Sequence, residues 1–228
     1  MGRRAFGRAF GAITAAALAA LLTGCGSREI MRYKLIVKVE TPQGVRTGHS
    51  VIEVVWTRSG PVDKALFGGL AGGGFQIKGE AVAVDLPALK GQGSQTLFVL
   101  LRSAGSADWA GWLSNDVPKD KTARPVPRTD NMGTANYPYF VRFANPADPK
   151  SVEQVDPDNL AKSYGAGYAL KSLTVQMTDE AVTSEIEKRL GWLKEHRGTL
   201  KPNPPKYLED AKPMDLISSG DFSTELYR

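Results

Sequence analysis

Residues 32 to 40 alternate strictly. Tyr33, Leu35, Val37 and Val39 fall on one side, and Lys34, Lys38 and Glu40 on the other. A period of two is the signature of a half-buried β-strand. Thr41-Pro42-Gln43-Gly44 follows, with proline second and glycine fourth, as type I turns prefer. Val45 to Arg58 then carries Val51, Ile52, Val54, Val55 and Trp56. The two runs predict an antiparallel hairpin, and that hairpin constrains the fold more than any other feature. Gly48 inside the second run suggests a bulge.

Further strands follow the same logic. Phe75 to Leu86 reads as a third strand whose parity slips at Gly79, where a bulge or close backbone approach is expected. Thr96 to Leu101 (TLFVLL) is unbroken and apolar, the pattern of a strand buried on both faces. Tyr139, Val141 and Phe143 alternate, as do Leu173, Val175 and Met177. Helical signals are fewer. Asp156 with Pro157 opens a short helix through Leu160 to Tyr164, stopped by Gly165. Thr183, Ile186, Leu190 and Leu193 place one apolar stripe on a later helix. Residues 59–74 and 118–136 read as loops. The expected fold is α+β: a mainly antiparallel β-sheet of about six strands, with a short helix and one C-terminal helix packed on it.

Composition narrows the function classes. With 42% hydrophobic residues, 29 basic and 24 acidic, the chain is neither collagen-like, disulfide-dense nor largely disordered. The single cysteine, Cys25, excludes an internal disulfide and a cysteine-built metal site. Only His49 and His196 are available for a histidine cluster. No cofactor and no metal are expected.

The N-terminus carries an address. Arg3, Arg4 and Arg8 precede Gly11 to Leu22 (GAITAAALAALL), which is too short to span a bilayer and has the form of a signal-peptide core. Leu22-Thr23-Gly24-Cys25 follows and resembles the lipobox of bacterial lipoproteins. That resemblance implies cleavage before Cys25, diacylglycerol on its thiol and a further acyl chain on the new amino group. Several chains anchor stably where one does not. Gly26 after the cysteine implies, by the same resemblance, the outer membrane facing the periplasm. The expected organisation is a signal peptide over 1–24, a membrane tether over 25–31, one domain over 32–197 and a Pro-rich extension over 198–228. Removing 24 of 228 residues takes away three arginines and no acid, so the net charge falls from +5 to +2. No nucleic-acid partner is expected, since the basic excess sits partly in the leader. The eight residues from Cys25 to Tyr33 reach at most roughly 28 Å, which would hold the domain close to the membrane.

Few patterns carry chemistry. The run Gly68-Gly69-Leu70-Ala71-Gly72-Gly73-Gly74 lacks the Lys-Ser/Thr pair of a phosphate loop, and a strand, not a helix, follows it. Gly48-His49-Ser50 puts His49 and Ser50 on opposite faces of a strand, which disfavours a Ser–His pair. Glu53, Glu80 and Asp85 lie on predicted strands and could converge, but many other carboxylates of the chain could too, so a pair does not follow from sequence. Trp109, Trp112, Tyr137 and Tyr139 are the candidate ligand-contact residues, because aromatics give large rigid contact area. The competing reading is that Trp109 and Trp112 pack into the core or plug a sheet edge.

Stretches of the mature chain resemble a set of uncharacterised proteobacterial proteins. They include Tyr33-Lys34-Leu35, Glu40 to Gly44, Lys78 to Leu86, Thr96 to Leu101 and, later, Asp148-Pro149, Tyr164-Gly165 and Leu190-Gly191-Trp192-Leu193. The resemblance implies an exported or lipid-anchored protein and carries over no site residues. The expected function is a lipid-anchored cell-envelope protein, non-enzymatic, that binds or supports an envelope protein or glycan. The alternative is a small envelope hydrolase acting through carboxylates.

Overall fold

A computed structural model describes residues 26–60, 72–87, 95–129, 133, 136–201 and 212–227. Cys25, the leader, most of the glycine-rich run and most of the proline-rich stretch 201–207 lie outside the described residues. Among the described residues, no helix is long and apolar enough to cross a membrane.

The hairpin runs are β1 (Ser27–Glu40) and β2 (Arg46–Arg58), joined through a turn in which the Gly44 N–H donates to the Thr41 carbonyl at 3.0 Å. The predicted third strand is two: β3 (Gly74–Lys78) and β4 (Val82–Leu86). β5 (Gln95–Ser103), β6 (Arg124–Pro125), β7 (Pro138–Phe143), β8 (Val152–Val155) and β9 (Ala169–Met177) complete the set. They form two mostly antiparallel sheets, in the orders β3-β2-β1-β9-β6 and β4-β5-β7-β8. The fold is α+β on a β core, with nine strands among the described residues in place of about six.

The break between β3 and β4 has a clear physical consequence. At Gly79-Glu80-Ala81 the chain leaves one sheet for the other, and its backbone groups need new partners. The C-terminal segment supplies them: Ala81 N–H donates to the Phe222 carbonyl (2.8 Å), and Thr224 N–H to the Gly79 carbonyl (3.0 Å).

Helices are short. α1 (Trp109–Leu113) follows β5, and its Ala110 carbonyl accepts the Tyr33 hydroxyl at 2.6 Å. α2 (Leu160–Tyr164) begins after the Asp156-Pro157 turn, at Asn159, and ends at Gly165 with φ 100°. The expected C-terminal helix is α3 (Ile186–Arg189), broken at Leu190 (φ −120°, ψ 76°) and continued as a 3₁₀ turn over Gly191–Lys194. The stripe still buries: Ile186, Leu190 and Leu193 are each at most 2% exposed.

Two compact units divide the chain. In the smaller, described through 26–30, 55–60 and 72–76, Trp56 packs on Phe75 with ring centroids 4.7 Å apart, and Arg58 faces Glu29 at 3.8 Å. The larger, 31–54 with 77–228, holds the main core. There β5 is buried on both faces, as its unbroken apolar run requires. Leu97, Val99 and Leu101 line one face, and Phe98 and Leu100 the other. The second face joins Tyr139, Val141, Phe143 and Val152 and is covered by Ile186, Leu190, Leu193, Leu200, Ile217 and Phe222. Phe98, Phe143, Phe222 and Trp192 meet as tilted and edge-on rings 5.5–6.4 Å apart.

Gly48 marks a close approach. A Cβ there would sit 2.3 Å from the Ala83 carbonyl oxygen, a backbone atom that cannot swing aside. Gly48→Ala is therefore expected to destabilise the domain by about 1–3 kcal/mol, the usual cost of overpacking. A urea unfolding midpoint equal to wild type would show that β2 and β4 separate freely.

Candidate functional site

A cleft of about 260 Å³ opens where β2, the start of β4 and α3 meet. Gly48, His49, Glu80, Ala81, Ala83, Thr183, Glu185, Ile186 and Arg189 line it. Its position follows from local sequence. Gly48 lets β2 run close to β4, and Gly79, where a Cβ would lie 3.0 Å from Ile52, turns the chain inward at Glu80. Thr183 then pins the segment entering α3. Its N–H donates to the Val51 carbonyl (3.3 Å), its Oγ1 accepts the Val51 N–H (3.1 Å), and it lies 2.8 Å from Ser50 Oγ.

Glu80 is the unusual residue. It is 6% exposed, a depth at which carboxylates are rare unless paired. Its Oε2 accepts the Ile186 N–H at 2.8 Å, and its carbonyl accepts Ser50 Oγ at 2.7 Å. Among the described residues no cation lies within ion-pair distance of it. The nearby charges are committed elsewhere: Arg189 to Asp85 at 2.6 Å, and Lys188 to Glu185 at 2.7 Å. The Arg189 hydrogen bond, and then its charge, hold the Asp85 carboxyl below the usual aspartate range, although burial opposes them. The cleft thus has a buried acceptor on its floor, apolar alanine and isoleucine walls, and a polar rim.

A second buried carboxylate, Glu53 on β2, is saturated by comparison. Arg32 reaches it through Nε (2.8 Å) and Nη2 (2.7 Å), with Lys78 Nζ at 3.6 Å. Its pKa is lowered, chiefly by the Arg32 hydrogen bond, and burial only partly offsets this. A carboxylate whose folded pKa is depressed adds stability above its unfolded value, here 4.5, and loses it as pH falls. The unfolding-midpoint advantage of wild type over Glu53→Gln is therefore expected to be full near neutrality and to shrink as pH drops below 4.5. An advantage independent of pH would show that Glu53 acts by shape alone.

Of the three acids read on predicted strands, the structure separates Glu53 from the cleft and places Glu80 in its lining. Asp85 stands behind the rim through Arg189. The aromatic candidates disperse. Trp109 is fully buried, with its indole N–H donating to the Asn136 carbonyl at 2.8 Å, and Tyr139 is buried in the core. Trp112 is half-exposed. Tyr137 stacks on Phe140 at 5.8 Å under the Arg128 guanidinium, 4.6 Å from its ring. Cys25 lies outside the described residues. Sequence reasoning missed Thr183, Glu185 and Arg189 as cleft residues. The available signal was the single charge of Glu80 beside the apolar run Ala81 to Val84. Among the described residues no cluster of three His, Cys, Asp or Glu side chains is placed to hold a metal ion. The chain matches no family model, no curated protein and no solved structure.

Proposed function

We propose that this chain is a lipid-anchored cell-envelope protein that binds an envelope component, without catalysis, through the cleft at Glu80. The observation that supports a binding role is the state of that carboxylate: buried, lining an open cleft, and without a cationic partner among the described residues. A group in that condition gains from a hydrogen-bond donor brought in by a ligand. The neighbouring hydroxyl, Ser50 Oγ, is engaged with the Glu80 carbonyl and Thr183, and offers no nucleophile to the cleft. The basic leader and the lipobox-like Leu22 to Cys25 support the location, with the anchor at Cys25 facing the periplasm at the outer membrane.

Two measurements test this reading. Cys25→Ser is expected to abolish incorporation of radiolabelled palmitate and leave an unprocessed or soluble form; equal labelling would remove the anchor. A photo-crosslinking residue at His49 is expected to give an envelope adduct that disappears with Cys25→Ser. No adduct from His49, with one from exposed Lys150, would move the binding face away from the cleft. The second reading, hydrolysis by paired carboxylates, has Glu185 lining the same cleft as Glu80 in its favour. Product release from envelope material, lost in Glu80→Gln, would favour it.

A further inference from the structure

We propose that the cleft selects a primary ammonium on a short aliphatic stem, of the kind a lysine side chain carries; this rests on the binding role assigned to the cleft above. Glu80 has two carboxylate oxygens. Oε2 is satisfied by the Ile186 N–H. Oε1 takes no hydrogen bond among the described residues, yet it is not among the buried atoms left without a partner, so it keeps solvent access. Since Glu80 lines the cleft and is otherwise buried, that access is through the cleft.

A carboxylate with one oxygen spent on a backbone donor and the other facing a small cavity suits a compact cation. An ammonium is a point charge with three donors and needs one oxygen, whereas a guanidinium binds best to both oxygens of a carboxylate at once. Oε2 already takes the Ile186 N–H, so Oε1 is the oxygen most open to a ligand, and an ammonium is served by that one oxygen. The walls select the rest of the ligand. Ala81, Ala83 and Ile186 are apolar and line the cleft. An aliphatic stem fits such a lining as lysine stems do on other apolar surfaces. The lining argues against an anionic ligand: it carries two carboxylates, Glu80 and Glu185, and its arginine, Arg189, is held by Asp85.

Amide NMR of the ¹⁵N-labelled full chain tests this with n-butylammonium, butyrate, n-butanol and phosphoethanolamine as probes. The expected result is a saturable shift of the Ile186, Ala81 and Ala83 amides with n-butylammonium alone, abolished in Glu80→Gln. Glutamine keeps an oxygen for the Ile186 N–H, so the fold should survive. If it does not, the comparison of n-butylammonium with the other three probes on wild type decides. Saturation by butyrate or by n-butanol equal to n-butylammonium would overturn the cationic selection and leave the cleft as a binding site. Preference for phosphoethanolamine would overturn the aliphatic stem in favour of a lipid-type headgroup. No shift from any probe, with the His49 crosslink present, would overturn the ligand class alone. With the crosslink also absent, the binding role of the cleft falls too.

Discussion

Phe222→Ala is expected to cost about 3–5 kcal/mol, the range for removing a large aromatic from a packed core. Phe222 is fully buried although it lies near the end of the sequence, and its ring meets Phe98 at 5.8 Å, Phe143 at 5.6 Å and Trp192 at 6.4 Å. Its carbonyl also accepts the Ala81 N–H, so loosening the ring puts a backbone hydrogen bond at risk. Phe98→Ala should cost a similar amount, and the double variant less than the sum, because the rings share one contact surface. Lys121→Ala supplies the contrast. Its ion pair with Asp179 is exposed on both sides, and the change should stay within about 0.5 kcal/mol. Urea unfolding of the four variants checks this. A Phe222→Ala midpoint matching that of Lys121→Ala would show that the C-terminal segment is not part of the cooperative unit.

Leu190→Asp should be as damaging by a different route. Leu190 is 1% exposed and sits at the junction of α3 with the 3₁₀ turn that follows. A carboxylate there would have no partner among the apolar residues of the cluster, at a cost of several kcal/mol unless it takes up a proton or the segment lifts away. A four-residue helix has no stability of its own in water, so the segment has no folded state apart from the sheet. The expected result is loss of a single cooperative transition together with rapid protease cleavage between Thr183 and Leu200. A variant that melts and resists protease like wild type would mean that the stripe is not held against β5 and β7.

The strands were the most legible part of the molecule because a half-buried strand writes its period directly into sequence. β1 and β9 alternate, and β5 is uniformly apolar because both of its faces are covered. β8 was illegible: Val152-Glu153-Gln154-Val155 buries only its two ends, and four residues cannot establish a period. The slip at Gly79 was visible, but a bulge and a change of sheet look alike in one dimension. The helix after Thr183 is shorter than its stripe implies, because Ile186, Leu190 and Leu193 keep helical spacing through a turn that is not helical at Leu190. The cleft was the least legible feature. Its residues come from positions 48, 80 and 183–189, and they meet because Thr183 docks on Val51. No spacing rule connects segments so far apart. The aromatic candidates divide for a related reason, with Trp109 and Tyr139 buried and Trp112 half-exposed. Trp109 and Tyr139 were read by residue type, and only packing separates a buried aromatic from a surface one.

The cover over one face of the second sheet is made by Ile186, Leu190, Leu193, Leu200, Ile217 and Phe222, whereas the strands beneath it are complete by Val155. A ribosome adds roughly 5–20 residues each second, so the strands exist for several seconds before their cover does. During that interval Phe98, Leu100, Tyr139, Val141 and Phe143 form an open apolar face. Faces of that kind recruit chaperones or one another. A chain terminated after Met177 would carry the same face permanently. The order of synthesis thus lets residues made after the strands decide whether those strands stay soluble.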